Sequence, residues 1–365
     1  MSRLRIAILG GGLAGSFLAW RLAEAGQRVL LADDAAPGNA SRVAAGLFNI
    51  ITGRFGAKSW MGDTLLASLR AFFEAPGQRE LASHLHFSEI YRPFQDVAEF
   101  NKWSGRAADP AFRDIVALQE QPLLPEQIEN PWGGIRILPC GWADTRGLIS
   151  GFHRLLAEKG VEIWQKTIDY QDIDTQSQAL AGLPYDRLVF AEGYRAVENP
   201  WFSFIPLIPN KGELLYLHAA DAELPFVLSK KIYLLPLGGG RFACGSTYQN
   251  HFSDLRPSAE GREAILAQLR QVWKVPAQVE EHLAGVRPTT PDRKPAMGAH
   301  PSLPNVYFFG GFGTKGLLIA PHFSARMARL IIEGKADLPP EVQLNRWLDP
   351  RYSAKFAKHA PHAED

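Results

Sequence analysis

Cysteine is scarce in this chain: Cys140 and Cys244 are the only two among 365 residues. They lie far apart and match no metal-ligand or redox spacing, which argues against a disulfide scaffold and a metal site. Two buried thiols in a reducing, cytoplasmic setting are expected. No apolar run approaches the ~20 residues needed to span a bilayer, so no membrane span is expected. Excess charge is missing as well. Lys plus Arg number 39 against 38 for Asp plus Glu, and that balance gives no reason to expect a nucleic-acid or membrane-surface partner. Internal repeats and low-complexity tracts are also lacking.

What the chain does have is concentrated in its opening stretch, RIAILGGGLAGSFLAWRLAEAGQRVLLADD, from Arg5 to Asp34. Ile6 to Leu9 read as a buried parallel strand. Gly10, Gly12 and Gly15 follow with the spacing G-x-G-x-x-G, giving a tight turn, a close approach for a pyrophosphate, and close packing of helix on strand. Ala14 to Ala25 read as a helix ended by Gly26. Val29 to Leu31 form a second strand, which runs out at Asp33 and Asp34. An acid there suits a ribose hydroxyl and repels a 2′-phosphate. Arg3 and Arg5 before an apolar run resemble a signal peptide, but Trp20 and Arg21 break that run and no small-residue cleavage site follows.

Further on, Val43 to Ile51 is too apolar for a solvated loop. Leu65, Leu66, Leu69, Phe72 and Phe73 fall at helical spacing before Pro76-Gly77. Short strands are expected at 85–95 and 132–138, within an inserted domain. Asp144 is placed to cap a helix from Thr145 to Lys159, closed by Gly160. Leu188 to Ala191 form a strand that ends at a glycine. GELLYLH, IYLLPL and RFACGSTY read as an antiparallel sheet, and a helix from Ser258 to Trp273 follows. Near the end comes GVRPTTPDRKPAMG, then a strand from Val306 to Phe309, a glycine loop, and a helix to Glu333. The loop makes a second helix N-terminus able to face a ligand. Residues from Glu341 on read as a polar tail with one short helix.

Four of these segments, in order, resemble the FAD-dependent amine and amino-acid oxidase family. They are GGGLAG with Asp33, the helix ADTRGLISGFHRLLAEKGV, the strand LVFAEG, and GVRPTTPD followed by NVYFFGGFGTKG. The resemblance implies an α/β chain: a discontinuous Rossmann-type FAD-binding domain (1–56, 140–205, 282–340) plus an antiparallel-sheet substrate domain (57–139, 206–281), with a tail at 341–365. It implies oxidation of a C–N bond in a small amino acid or secondary amine by hydride transfer to flavin, with oxygen as acceptor. FAD is expected to be non-covalent, because no His lies in Ser41 to Gly46 and no Cys in the closing section.

By the same resemblance, FAD contacts fall on Gly10, Gly12, Leu13, Ala14 and Gly15, then on Asp33, Asp34, Arg42, Ala44, Ala45 and Gly46. Ala191 and Gly193 follow, with Gly311, Gly313, Thr314, Lys315, Gly316 and Leu317 in the closing loop. Arg287 matches the arginine that binds the substrate carboxylate, and Tyr233 a substrate-contacting tyrosine. Lys315 stands where relatives often carry a Gly-His-Gly loop, and would place positive charge beside the flavin pyrimidine. Relatives often have glycine at Arg293. A similar glycine–basic loop occurs in the oxidase half of the bacterial enzyme that trims carboxymethylaminomethyl groups on tRNA. Without a basic surface, no tRNA partner is inferred. The same residues also suit a hydroxy-acid dehydrogenase passing electrons to a quinone or carrier protein, or a non-catalytic flavoprotein. No metal is expected, no general base stands out, and His84, His86 and His251 are the weakest of candidates.

Overall fold

The computed structural model describes residues 3–52 and 56–356. The apolar runs of the sequence become the centre of a six-stranded sheet, in the order Glu162–Trp164, Arg28–Ala32, Arg5–Leu9, Arg187–Phe190, Val306–Gly310 and Ala296–Ala299. All neighbours are parallel except the last pair. Ile8, Leu188, Val189 and Phe309 are sealed from solvent, as strands covered on both faces must be. The helices Leu13–Glu24, Thr145–Glu158 and Gly316–Glu333 are mutual neighbours through the first of them. Phe17 anchors this layer, its ring 4.7 Å from Phe72 and 4.8 Å from Phe152. Phe72 belongs to the helix Gly62–Glu74, so the inserted segment begins by packing on the nucleotide-fold helices.

The expected helix ends are present. Gly26 takes φ +74° after the first helix. Asp144 accepts a hydrogen bond from the Gly147 amide at 3.0 Å, and Gly334 closes the last long helix at φ +71°. The helix read from Ser258 to Trp273 is shorter: Ser258 caps Ala259–Leu269.

The second sheet has ten strands. Its path runs Gly38–Asn39, Gln278–Thr289, Ile208–His218, Arg241–Gly245, Tyr233–Gly238, Val227–Ser229, Leu85–Pro93, Gly134–Ala143 and Phe48–Asn49, with Val116–Gln119 beside Gly134–Ala143. Pairing is antiparallel except where Val227–Ser229 meets Leu85–Pro93 and where Gly38–Asn39 meets Gln278–Thr289. The strand read at 85–95 ends at Pro93, the one read at 132–138 runs from Gly134 to Ala143, and the two pair with each other from Leu85–Ala143 to Pro93–Gly134. Two segments far apart in sequence thus build one sheet, which no local pattern reveals. RFACGSTY is strand only to Gly245; Ser246 to Tyr248 leave the sheet.

The end of the chain differs from a polar tail. Val342, Leu344 and Trp347 are buried. Arg346 is buried with them, donating to Asp292 Oδ2 at 2.9 Å and to the Pro295 carbonyl at 3.0 Å. The polar residues between these anchors hide apolar positions spaced irregularly, which no single period picks out. Both cysteines are free and buried, as expected, and burial pushes the Cys140 thiol up to about 12.

Candidate active site

The two sheets border one cavity of about 1120 Å³, beyond the ~300–1,000 Å³ usual for a drug-sized ligand. One end lies at the opening glycines, the other against the ten-stranded sheet.

At the first end, the helix Leu13–Glu24 has no side-chain cap and no acid in its first turn. The Leu13 amide donates to Ser41 Oγ at 3.2 Å, and the next amides of the turn, with no acid beside them, suit an anion. Gly10 sits at φ +105°, where a Cβ would lie 2.3 Å from the Ala191 carbonyl. A Cβ on Gly15 would lie 1.8 Å from the Gly10 carbonyl oxygen. Gly15 accordingly packs helix on strand and does not line the cavity, whereas Gly10, Gly12, Leu13 and Ala14 do. This turn fits a diphosphate.

Asp33 lines the cavity, but it is already held: Oδ2 accepts from Arg42 at 2.6 Å and Oδ1 from the Gly11 amide at 3.3 Å. Arg42 stands behind Asp33 and is not itself a lining residue. Asp34 accepts from Arg195 at 2.5 Å and from Thr167 at 3.1 Å. Ala44, Ala45 and Gly46 form a small-residue wall, with Gly46 at φ +68° and no room for a Cβ beside the Ala143 carbonyl. Ala191 and Gly193 complete this end, together with Glu192, which sequence reading missed. Burial pushes the Glu192 carboxyl up to about 7, against the opposing hydrogen bonds from Asn199 and Tyr170.

The closing loop supplies Gly311, Gly313, Thr314, Lys315, Gly316 and Leu317 to the same cavity. The helix Gly316–Glu333 also begins without a side-chain cap or a first-turn acid. Lys315 is half-buried and donates to Ser59 Oγ at 3.0 Å. Burial lowers its pKa, and the neighbouring Arg293 lowers it further. Arg293 itself sits at φ +57°, a conformation that favours glycine.

At the other end Arg287 projects from Gln278–Thr289 across its neighbour. Nη1 donates to Asn210 Oδ1 at 2.8 Å and to the Thr247 carbonyl at 3.2 Å, and Nη2 to Ser246 Oγ at 2.7 Å. Tyr248 lies over the guanidinium, with its ring centroid 4.4 Å from Cζ. Among the described residues no carboxylate comes within ion-pair distance of Arg287. Burial lowers its pKa, yet a guanidinium stays charged at neutral pH. Tyr233 lines the same region, and burial raises its phenol, which therefore remains a neutral O–H.

The three expected histidines are elsewhere. His84 lies 3.5 Å from Asp144, His86 stacks on Trp142 at 4.2 Å, and His251 is not a lining residue. Asn210, Gly212, Ser246, Thr247 and Tyr248 escaped sequence reading. They are ordinary polar and glycine residues in strands and turns, and the pairings of Asn210 with Arg287 and of Leu214 with Gly245 bring them together.

Comparison with known proteins agrees with this geometry. The family model described as FAD dependent oxidoreductase, DAO, matches residues 5–330. An uncharacterised oxidoreductase of Bacillus subtilis, YurR, is 26% identical over 91% of this chain and 95% of its own length. Glycine oxidase of Pseudomonas aeruginosa is 25% identical, with the same coverage of 91% and 95%. The crystal structure of iminodiacetate oxidase from Chelativorans sp. BNC1 shares the fold, with a TM-score of 0.75 at 22% identity, covering 92% of this chain and 98% of that one. The uncapped glycine turn, the acid after the second strand and the second open helix end are the parts an FAD-binding protein needs, and with the match over residues 5–330 the chain belongs to the DAO family of FAD-dependent oxidoreductases.

Proposed function

We propose that this enzyme oxidises the C–N bond of a small amino acid or secondary amine bearing a carboxylate, with oxygen as the final electron acceptor. One observation carries the reading: a half-buried guanidinium, Arg287, faces the cavity with no carboxylate beside it among the described residues. Burying a charge without an opposite charge is costly, so a ligand carboxylate is the natural partner. The glycine and iminodiacetate oxidases to which the chain is similar support the same substrate class.

FAD, when bound, supplies the acceptor for the two electrons that leave the C–N bond. Gly10, Gly12, Leu13 and Ala14 would hold its diphosphate, and Gly311 to Leu317 would border its rings. The chain's own residues do the rest. Three of the N–H groups of Arg287 are fixed by Asn210, Thr247 and Ser246, which sets the plane of the guanidinium. Its two remaining N–H groups are free for a carboxylate, which orients the α-carbon. The Tyr233 O–H can donate to the same ligand. Glu213, the one carboxylate of the sheet side that lines the cavity, is occupied by Ser258 Oγ at 2.9 Å and His282 at 2.8 Å. No lining residue among those described is a histidine, so no general base is assigned and the amine reacts as its neutral form.

The test is to reconstitute the yellow enzyme and follow peroxide release in air with glycine, N-methylglycine and iminodiacetate. Peroxide equimolar with imine-derived carbonyl product is the expected result. Flavin reduction without peroxide would instead favour a dehydrogenase with another acceptor.

A further inference from the structure

Arg287 is not alone in lacking a counter-charge among the described residues. Lys230 also lines the cavity, half-buried, and among the described residues its ammonium makes no hydrogen bond or ion pair. Burial lowers its pKa, and the acids it feels are Glu99 and Glu129. Each already has its own cation: Glu99 accepts from Arg92 at 3.1 Å, and Glu129 lies 2.9 Å from Lys274. Lys231, next in sequence, is exposed and reaches Gln271.

Strand pairing sets these two cations on the same stretch of the sheet, with Lys230 in the turn that follows Val227–Ser229. The guanidinium of Arg287 contacts Ser246, which directly follows Gly245. Gly245 pairs with Tyr233, Tyr233 pairs with Ser229, and Lys230 is the next residue. Two strand spacings, about 10 Å, thus separate the backbone at the Arg287 contact from the backbone at Lys230, with Tyr233 between them. Glu213, on that side of the cavity, is sealed and engaged. Arg293, another cation without a described counter-charge, is exposed in the turn that follows Gln278–Thr289, away from Lys230 in the strand order.

We infer that the substrate carries two anionic groups, one held by Arg287 and a second, carboxylate or phosphonate, held by Lys230. This rests on the amine-oxidation reading and narrows it to dianionic amines, in which the second acid lies a few bonds beyond the amine nitrogen or α-carbon. A monoanion would leave the Lys230 ammonium in a half-buried cavity without a counter-charge. A dianion answers both cations and spans Tyr233.

The decisive experiment needs no turnover. The FAD-loaded enzyme is titrated with malonate, succinate, glutarate and phosphonoacetate, and with acetate and propionate, at matched ionic strength. Binding is read from perturbation of the flavin spectrum and from the thermal shift. At least one dianion should bind on the order of tenfold more tightly than the monoanions, as a partly screened charge pair allows. Lys230→Gln should bring the dianions down to the monoanion level, and Arg287→Lys should weaken both classes. Equal affinity of dianions and monoanions, or an undiminished dianion advantage in Lys230→Gln, overturns the assignment. Failure of every amine to be oxidised would refute the reaction while leaving this binding result intact, so the two ideas fail separately.

Discussion

Arg287 occupies the space directly above Gly212. A Cβ on Gly212 would come within 2.1 Å of Nη2 and 2.3 Å of Cζ. The glycine of one strand is therefore the seat of the guanidinium that projects from the next, and its missing side chain is what lets Arg287 lie flat across the sheet toward Ser246.

Gly212→Ala should consequently damage catalysis without removing any functional group. The guanidinium must shift, and a displacement of about 1 Å in an orienting group costs on the order of 100-fold. Steady-state kinetics should show that loss in kcat/KM while flavin content stays normal. Unchanged kinetics would mean that the position of Arg287 is irrelevant to turnover.

Replacing the arginine itself is the harsher change. Arg287→Leu should lose roughly 2–5 kcal/mol of transition-state binding for a carboxylate substrate, the scale for removing one partner of a buried charge pair. Arg287→Lys should recover part of it, since a point charge keeps the attraction but loses the bidentate fork.

The opening glycines separate folding from cofactor binding. At Gly12 an added Cβ meets the Ser41 hydroxyl at 3.0 Å, a side chain able to move. Gly12→Val should therefore fold yet emerge colourless. At Gly15 the obstacle is the backbone oxygen of Gly10 at 1.8 Å, and Gly15→Val should reduce soluble yield. Yellow, flavin-replete Gly12→Val protein would refute the diphosphate placement.

Glu192 gives stability a pH dependence of predictable sign. Its folded value of about 7 stands above the ordinary 4.5, so the folded state binds the extra proton between those values. Stability from this group is full below pH ~4.5 and is lost as pH rises through ~7. Glu192→Gln should flatten that decline in a thermal-melt series, most visibly above pH ~7. A variant that melts in parallel with the parent at every pH would show that Glu192 is not protonated on folding.

Much of this was legible in the sequence, for identifiable reasons. The nucleotide end is built from local signals: a strand, three glycines, a helix and an acid within Arg5 to Asp34, each readable from spacing. Arg287, Tyr233 and the closing loop came from resemblance, and the fold sets them around one cavity. The surroundings of Arg287 were not legible. Asn210 and Gly212 come from another strand and Ser246 from just beyond a third, and strand partners are chosen by long-range pairing that leaves no local pattern. Lys230 was invisible for a different reason, since a lysine in a turn is ordinarily solvated. Arg346 was hidden because its partner, Asp292, is set by tertiary packing of a segment whose composition reads as polar.

The most direct measurement is anaerobic bleaching of the flavin by matched pairs of amines that differ only in the carboxylate, glycine against methylamine and N-methylglycine against dimethylamine. Rapid bleaching by the acids alone, lost in Arg287→Leu with flavin retained, is the expected result. Equal bleaching by the amines without a carboxylate, or full bleaching of Arg287→Leu by the acids, would contradict the placement of Arg287 as the substrate clamp.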